Sequence, residues 1–128
     1  MQTFQNIMLV GSGGFIGSVL RYLVSVLMQQ SFKTDSFPAG TAVVNVTGCL
    51  VIGLLGGWAE NGQALGPQTR LFLFLGLLGG FTTFSTFGYE TVALLRDKAV
   101  FLAFINVIIQ LSLGFGAVLL GYNCWKML

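Results

Sequence analysis

The sequence predicts an all-α integral membrane protein of four transmembrane helices with a break in the third, and three observations carry that prediction. Of 128 residues, 55% are hydrophobic and 8% charged, against about 25% charged in a soluble domain, so the chain cannot cover a water-facing surface. Mean hydropathy is +0.85, and the apolar residues fall into runs of roughly the 20 residues a helix needs to cross a bilayer. In the third run stands Gly-Gly-Phe-Thr-Thr-Phe-Ser-Thr-Phe-Gly-Tyr-Glu at 79–90, with paired glycines and four hydroxyls where a lipid-facing helix would carry none.

Composition also excludes. The net charge of +2 is small and its carriers are scattered, which is no footprint for nucleic acid. There is no histidine, and the two cysteines, Cys49 and Cys124, give neither zinc-ligand spacing nor a disulfide framework. Both read as small packing residues. The first residues lack the basic region of a signal peptide, so the first apolar run is expected to be a retained span. No nucleophile, general base or catalytic metal set is visible, and the expectation is a non-enzyme.

Span one covers 7–27 and is interrupted by Arg21. An ionisable group inside a span is a functional candidate by default. Arg21 either snorkels to the headgroups or supplies a fixed positive charge at an anion-gathering vestibule. Span two, 39–58, is entered by Pro38, whose backbone suits a helix start. It carries Asn45 at mid-span, an amide that either bonds across helices or offers N–H donors to a passing anion.

Span three, 70–95, holds the anomalous stretch. Gly79 and Gly80 weaken a helix by roughly 1 kcal/mol each relative to alanine. Thr82, Thr83, Ser85 and Thr86 compete for backbone hydrogen bonds. Non-helical backbone at membrane depth survives only where it is buried in protein or lines a cavity, so the stretch reads as a helix break serving an ion or substrate path. Phe84 and Phe87 share a face if the second half is helical, and aromatic ring edges are positive enough to hold a small anion. Carbonyls freed near 79–82 would suit a cation instead. Glu90 pairs with a cation, caps the second half-helix, or sits in a wet cavity.

Span four, 99–122, places Asn106 and Gln110 four apart on one face, a polar stripe beside a pathway. Connections at 28–38, 59–69 and 96–98 are short, so 1–128 is a single transmembrane domain. The pairs Gly13/Gly17, Gly53/Gly57 and Gly76/Gly80 have the small-xxx-small spacing that lets helix backbones approach in lipid.

Four spans put both termini on one side, with Arg70 and Lys126 at that side and Lys33, Arg96 and Lys98 at the other. Positive-inside bias sets orientation, and here it is weak. Copies inserted both ways could pair as an antiparallel homodimer; the alternative is one fixed orientation set by the slight excess.

The motif at 79–90 closely resembles the third-helix signature of the Fluc (CrcB) fluoride channels. So do Gly14-Phe-Ile-Gly17-Ser-Val-Leu-Arg21-Tyr in span one and Gly40-Thr-Ala-Val-Val-Asn45-Val-Thr-Gly48 in span two. Three of four spans match in order and spacing. The resemblance implies a dual-topology antiparallel homodimer with two pores, exporting fluoride passively across the bacterial cytoplasmic (inner) membrane. It implies a structural Na⁺ at the dimer centre, held by the backbone carbonyls of Gly79 and Thr82. Phe84 and Phe87 would line the pore with ring edges, joined by Asn45, Arg21, Thr83 and Ser85, with Glu90 beyond. Family members often carry a tyrosine or small hydroxyls along helix four. This chain has Asn106 and Gln110, with Gly114 a turn further on. A proton-coupled cation exporter of similar size is the alternative, but it would want a carboxylate in span one, which has none. A structural subunit without transport would leave the helix break unexplained.

Overall fold

A computed structural model describes residues 1–33, 36–60 and 65–125. Lys126, counted above in the charge balance, and parts of the first two connections lie outside the described residues. Four helical segments are long and apolar enough to cross a membrane, and the described residues contain no strand.

Helix α1 (Gln2–Phe32) has 31 residues, about 46 Å at 1.5 Å per residue. It outruns the roughly 30 Å hydrocarbon core, so residues 7–27 are its apolar centre and its ends project or tilt. Lys33 stops it in a left-handed conformation with φ 47. The turn into α2 (Ala39–Glu60) is braced by Gln29. Its Nε2 donates to the Phe37 carbonyl at 3.0 Å, and its Oε1 accepts from the Gly40 N–H at 3.2 Å.

The third span is composite. Helix α3 (67–81) opens with Pro67 in its first turn, winds as a π-helix over Leu71–Leu78, and closes with Gly79–Phe81. Helix α4 (Phe84–Arg96) follows, and α5 (Val100–Cys124) is the fourth span. The break between α3 and α4 is confined to Thr82 (φ −83, ψ 157) and Thr83 (φ −151, ψ 112), both extended. Gly79 and Gly80 do not unwind as their low helix propensity suggested. They stay helical, and Gly80 serves close packing: a Cβ there would stand 2.5 Å from the Gly14 carbonyl oxygen.

Two glycine seams assemble the chain. Along the first, α1 lies on α3, and a Cβ on Gly13 would meet the Phe72 carbonyl at 2.7 Å. Along the second, α2 lies on α5, where a Cβ on Gly57 would meet the Tyr122 carbonyl at 2.6 Å. Contact this close maximises dispersion where lipid offers no hydrophobic driving force between helices. At one end Trp58 and Trp125 stack at 6.4 Å and Tyr122 donates to Glu60, amphipathic groups suited to the membrane–water boundary. The interior mixes apolar and polar groups: Thr41, Thr83, Asn106 and Gln110 are buried within it, and Val44 and Asn106 are the largest fully buried side chains.

Candidate functional site

A helix broken in the middle of a 30-residue span frees backbone groups that lipid cannot satisfy. Asn45 takes up most of the deficit. The Thr83 N–H donates to its Oδ1 at 2.8 Å, and the Thr83 carbonyl accepts from its Nδ2 at 3.1 Å. One primary amide thus replaces a neighbouring strand. The Thr83 hydroxyl caps α4, accepting from the Thr86 N–H at 3.2 Å, as an N-cap side chain does. The cap is therefore Thr83 and not Glu90.

The same bonds single out two carbonyls. In a continuous α-helix Gly79 C=O would accept from Thr83 N–H, and Thr82 C=O from Thr86 N–H. Those N–H groups bond instead to Asn45 and to the Thr83 hydroxyl. Gly79 and Thr82 are thus deprived of their helical donors.

From Asn45 a ladder of hydrogen bonds runs in one direction. Its Nδ2 also donates to Gln110 Oε1 at 2.7 Å, Gln110 Nε2 donates to Asn106 Oδ1 at 2.9 Å, and Asn106 Nδ2 donates to Thr91 Oγ1 at 2.9 Å. Thr91 then donates to the Phe87 carbonyl at 2.8 Å. The polar stripe read on span four is one side of this ladder, linking α2, α5 and α4.

Beside it lies a cavity of about 370 Å³ lined by Asn45, Thr83, Phe84, Phe87, Gln110 and Thr82, among others. The Phe84 and Phe87 rings stand 5.6 Å apart at 56°, so they do share a side of α4. Phe87 is buried, whereas Phe84 is 80% exposed on the single chain. Asn106 is sealed one bond behind the cavity. Ser85 is exposed, 3.3 Å from the Thr83 hydroxyl, and is not part of the lining. Nor is Arg21, which is half-buried on α1.

A second cavity, about 450 Å³, opens where α1 and α4 end and α2 begins, and Glu90, Thr41, Gln29, Ser25 and Asp97 line it. Of the three roles open to Glu90, the cavity is where it is found. Its Oε1 accepts from the Thr41 hydroxyl at 2.7 Å, while its Oε2 is buried with no hydrogen-bond partner among the described residues. Thr41 and Thr91 were not singled out by sequence. Thr41 does precede Asn45 by four residues and Thr91 follows Phe87 by four, spacings that place each on an already marked helix face.

A family model described as "CrcB-like protein, Camphor Resistance (CrcB)" matches residues 8–122. The chain is 43% identical over 122 residues to a Methylobacillus flagellatus protein named fluoride-specific ion channel FluC, covering 95% of each. It is 45% identical over 116 residues to fluoride-specific ion channel FluC 3 of Methanosarcina barkeri, covering 91% of this chain and 86% of that one. A Clostridium perfringens relative with the same channel name is 36% identical over 128 residues, covering 100% and 99%.

Proposed function

The chain belongs to the CrcB-like family, and from that premise we propose that it is a fluoride-selective channel that lets fluoride leave the cytoplasm down its electrochemical gradient. It is a multi-pass membrane protein and not an enzyme, since passage of an ion makes and breaks no covalent bond. The observation that carries the reading is the mid-membrane cavity in which two phenylalanine rings face an amide ladder. Fluoride is small and strongly hydrated, so a pathway must replace water with close donors. Ring edges and amide N–H groups supply positive charge without a full cation, which favours entry while still permitting release. Phe84, Phe87, Asn45, Thr83 and Gln110 line the pathway of this reading; Asn106 backs it from behind, Ser85 stands outside the lining on the exposed face, Arg21 is a positive charge nearer a mouth and Glu90 lies at the other cavity.

One chain is half of the device. Gly79, Phe84, Ser85 and Thr86 are exposed beside the broken backbone, and hydroxyls and open backbone do not face lipid. A second, inverted copy covering this face would bury them, giving the antiparallel homodimer in the bacterial inner membrane. The Gly79 and Thr82 carbonyls suit a sodium ion, because both have lost their helical donors and Gly79 lies on the exposed face. Sodium held there would add a fixed positive charge beside the pathway.

Vesicles containing only the purified protein and loaded with fluoride or chloride test the proposal. Fluoride is expected to leave and chloride to stay. Retention of both, or equal loss of both, would overturn it.

A further inference from the structure

The cavity changes character away from the Phe84–Phe87 pair. From Asn45 toward the end that carries Glu60 and Arg70, its wall is Cys49 and Ile52 on α2 and Leu78 and Phe74 on α3. Ile52 lies seven residues past Asn45, about 10 Å along the helix, and no amide or hydroxyl stands among these four side chains. Aliphatic groups cannot replace the water of a strongly hydrated anion, so a route to this end needs a positively polarised group on the way. Phe74 is the aromatic side chain of this part of the wall. It is half-buried and also lines the outer groove with Pro67, Arg70 and Leu71, which puts it between the cavity and the membrane boundary.

The π-winding of Leu71–Leu78 accounts for that placement. In an α-helix four residues turn about 400°, so a row of residues four apart drifts by about 40° per step. Bonds reaching five residues back take more than four residues per turn, as the Gly79 N–H does to the Phe74 carbonyl. The row Arg70–Phe74–Leu78 therefore runs nearly straight from the boundary to the cavity. Within it the exposed Arg70 holds its guanidinium carbon over the Phe74 ring, 5.9 Å from the centroid. A cation over a ring face attracts the ring's π electrons and leaves its edge, already positive, more so.

We propose that Phe74, polarised by Arg70 over its face, is a third ring of the pathway, whose edge receives fluoride between the Phe84–Phe87 pair and the boundary at Arg70. The inference rests on the fluoride reading above and extends its route. Arg70 is a positioning residue in it, acting on the ion through the ring.

The test measures fluoride efflux from vesicles containing the purified full chain. Phe74→Leu keeps an apolar side chain and removes the ring edge. A trifluorinated phenylalanine placed at position 74 keeps the ring and makes its rim negative, and it carries the test if Phe74→Leu fails to fold. Both should slow efflux by about 2–10-fold, the range for one ring contact, with an unaltered elution profile. Arg70→Gln is combined with Gln68→Lys at a neighbouring exposed position, which holds the charge at that end, and with it the orientation balance, constant. That pair should slow efflux by about 2–5-fold in the unaltered background and by nothing further in Phe74→Leu, because coupled residues are not additive. Full efflux with either change at position 74 overturns the inference and leaves the channel reading intact. Losses at Arg70 and Phe74 that multiply overturn it too, since Arg70 would then act on the ion without the ring. Unaltered protein that passes no fluoride overturns the channel reading, and the inference falls with it.

Discussion

Replacing Asn45 by alanine removes three hydrogen bonds at once. It leaves the N–H and carbonyl of Thr83, a buried residue, without partners at mid-membrane. Each buried polar group left unsatisfied costs about 1–3 kcal/mol, so Asn45→Ala should destabilise the fold by about 2–6 kcal/mol. Thermal unfolding in detergent, followed by loss of the monodisperse peak, reads that loss; an unshifted transition would mean the break needs no splint. The phenylalanines behave oppositely. Phe84 is 80% exposed on the single chain, so Phe84→Ile removes little packing within it beyond the contact with the Phe87 ring, and Phe87→Ile should cost about 1 kcal/mol. Both should nevertheless slow fluoride efflux by about tenfold or more, which corresponds to about 1.4 kcal/mol of lost stabilisation of the ion by ring edges. Flux at the unaltered rate in both variants would remove the rings from the pathway. Those outcomes would separate stability and conduction onto different residues of one cavity.

The seam between α1 and α3 gives a signed comparison at the scale of the element. At Gly17 a Cβ would collide with the Leu77 carbonyl and the Phe81 N–H, backbone atoms that cannot swing aside, whereas at Gly11 nothing lies within 4 Å. Gly17→Ala should therefore cost at least the 1–3 kcal/mol typical of overpacking, roughly stated. Gly11→Ala should gain about 1 kcal/mol from helix propensity. Melting midpoints moving in opposite directions confirm the seam; two shifts of the same sign refute it. This seam was legible, because small residues four apart mark a close-packed face regardless of the partner. The break was legible less finely. Glycines at 79 and 80 suggested unwinding there, but the extended residues are Thr82 and Thr83, because an amide on another helix satisfies Thr83 and only tertiary contact reveals which residue it reaches. Asn106 and Gln110 were found from their spacing, yet their hydrogen-bond direction is inherited from Asn45, 65 residues from Gln110. The π-winding of Leu71–Leu78 had no signal, since seven leucines and phenylalanines with one glycine among them read the same at either pitch.

Orientation belongs to the whole molecule. Lys33, Arg96 and Lys98 lie at one end of the bundle and Arg70 at the other, where sequence adds Lys126. A bias this small leaves insertion near balance, and pairing with an inverted copy would exploit that balance. The balance can be tipped on exposed positions. Gln2→Lys, Gln5→Lys and Gln68→Lys together load the end that carries the N-terminus, while Gln30→Lys with Ser31→Lys loads the opposite end; all five residues are exposed. Each variant should insert one way, as a C-terminal reporter active on only one side of the membrane would show. Expressed alone, either variant lacks an inverted partner and should lose fluoride efflux by about tenfold or more. Expressed together they should restore it, because each supplies the orientation the other lacks. The added lysines stand at the helix ends, far from the amide ladder, so restoration cannot come from repair of the cavity. Full efflux from either singly oriented variant would show that parallel copies or one chain conduct, and the inverted pairing would have to be abandoned.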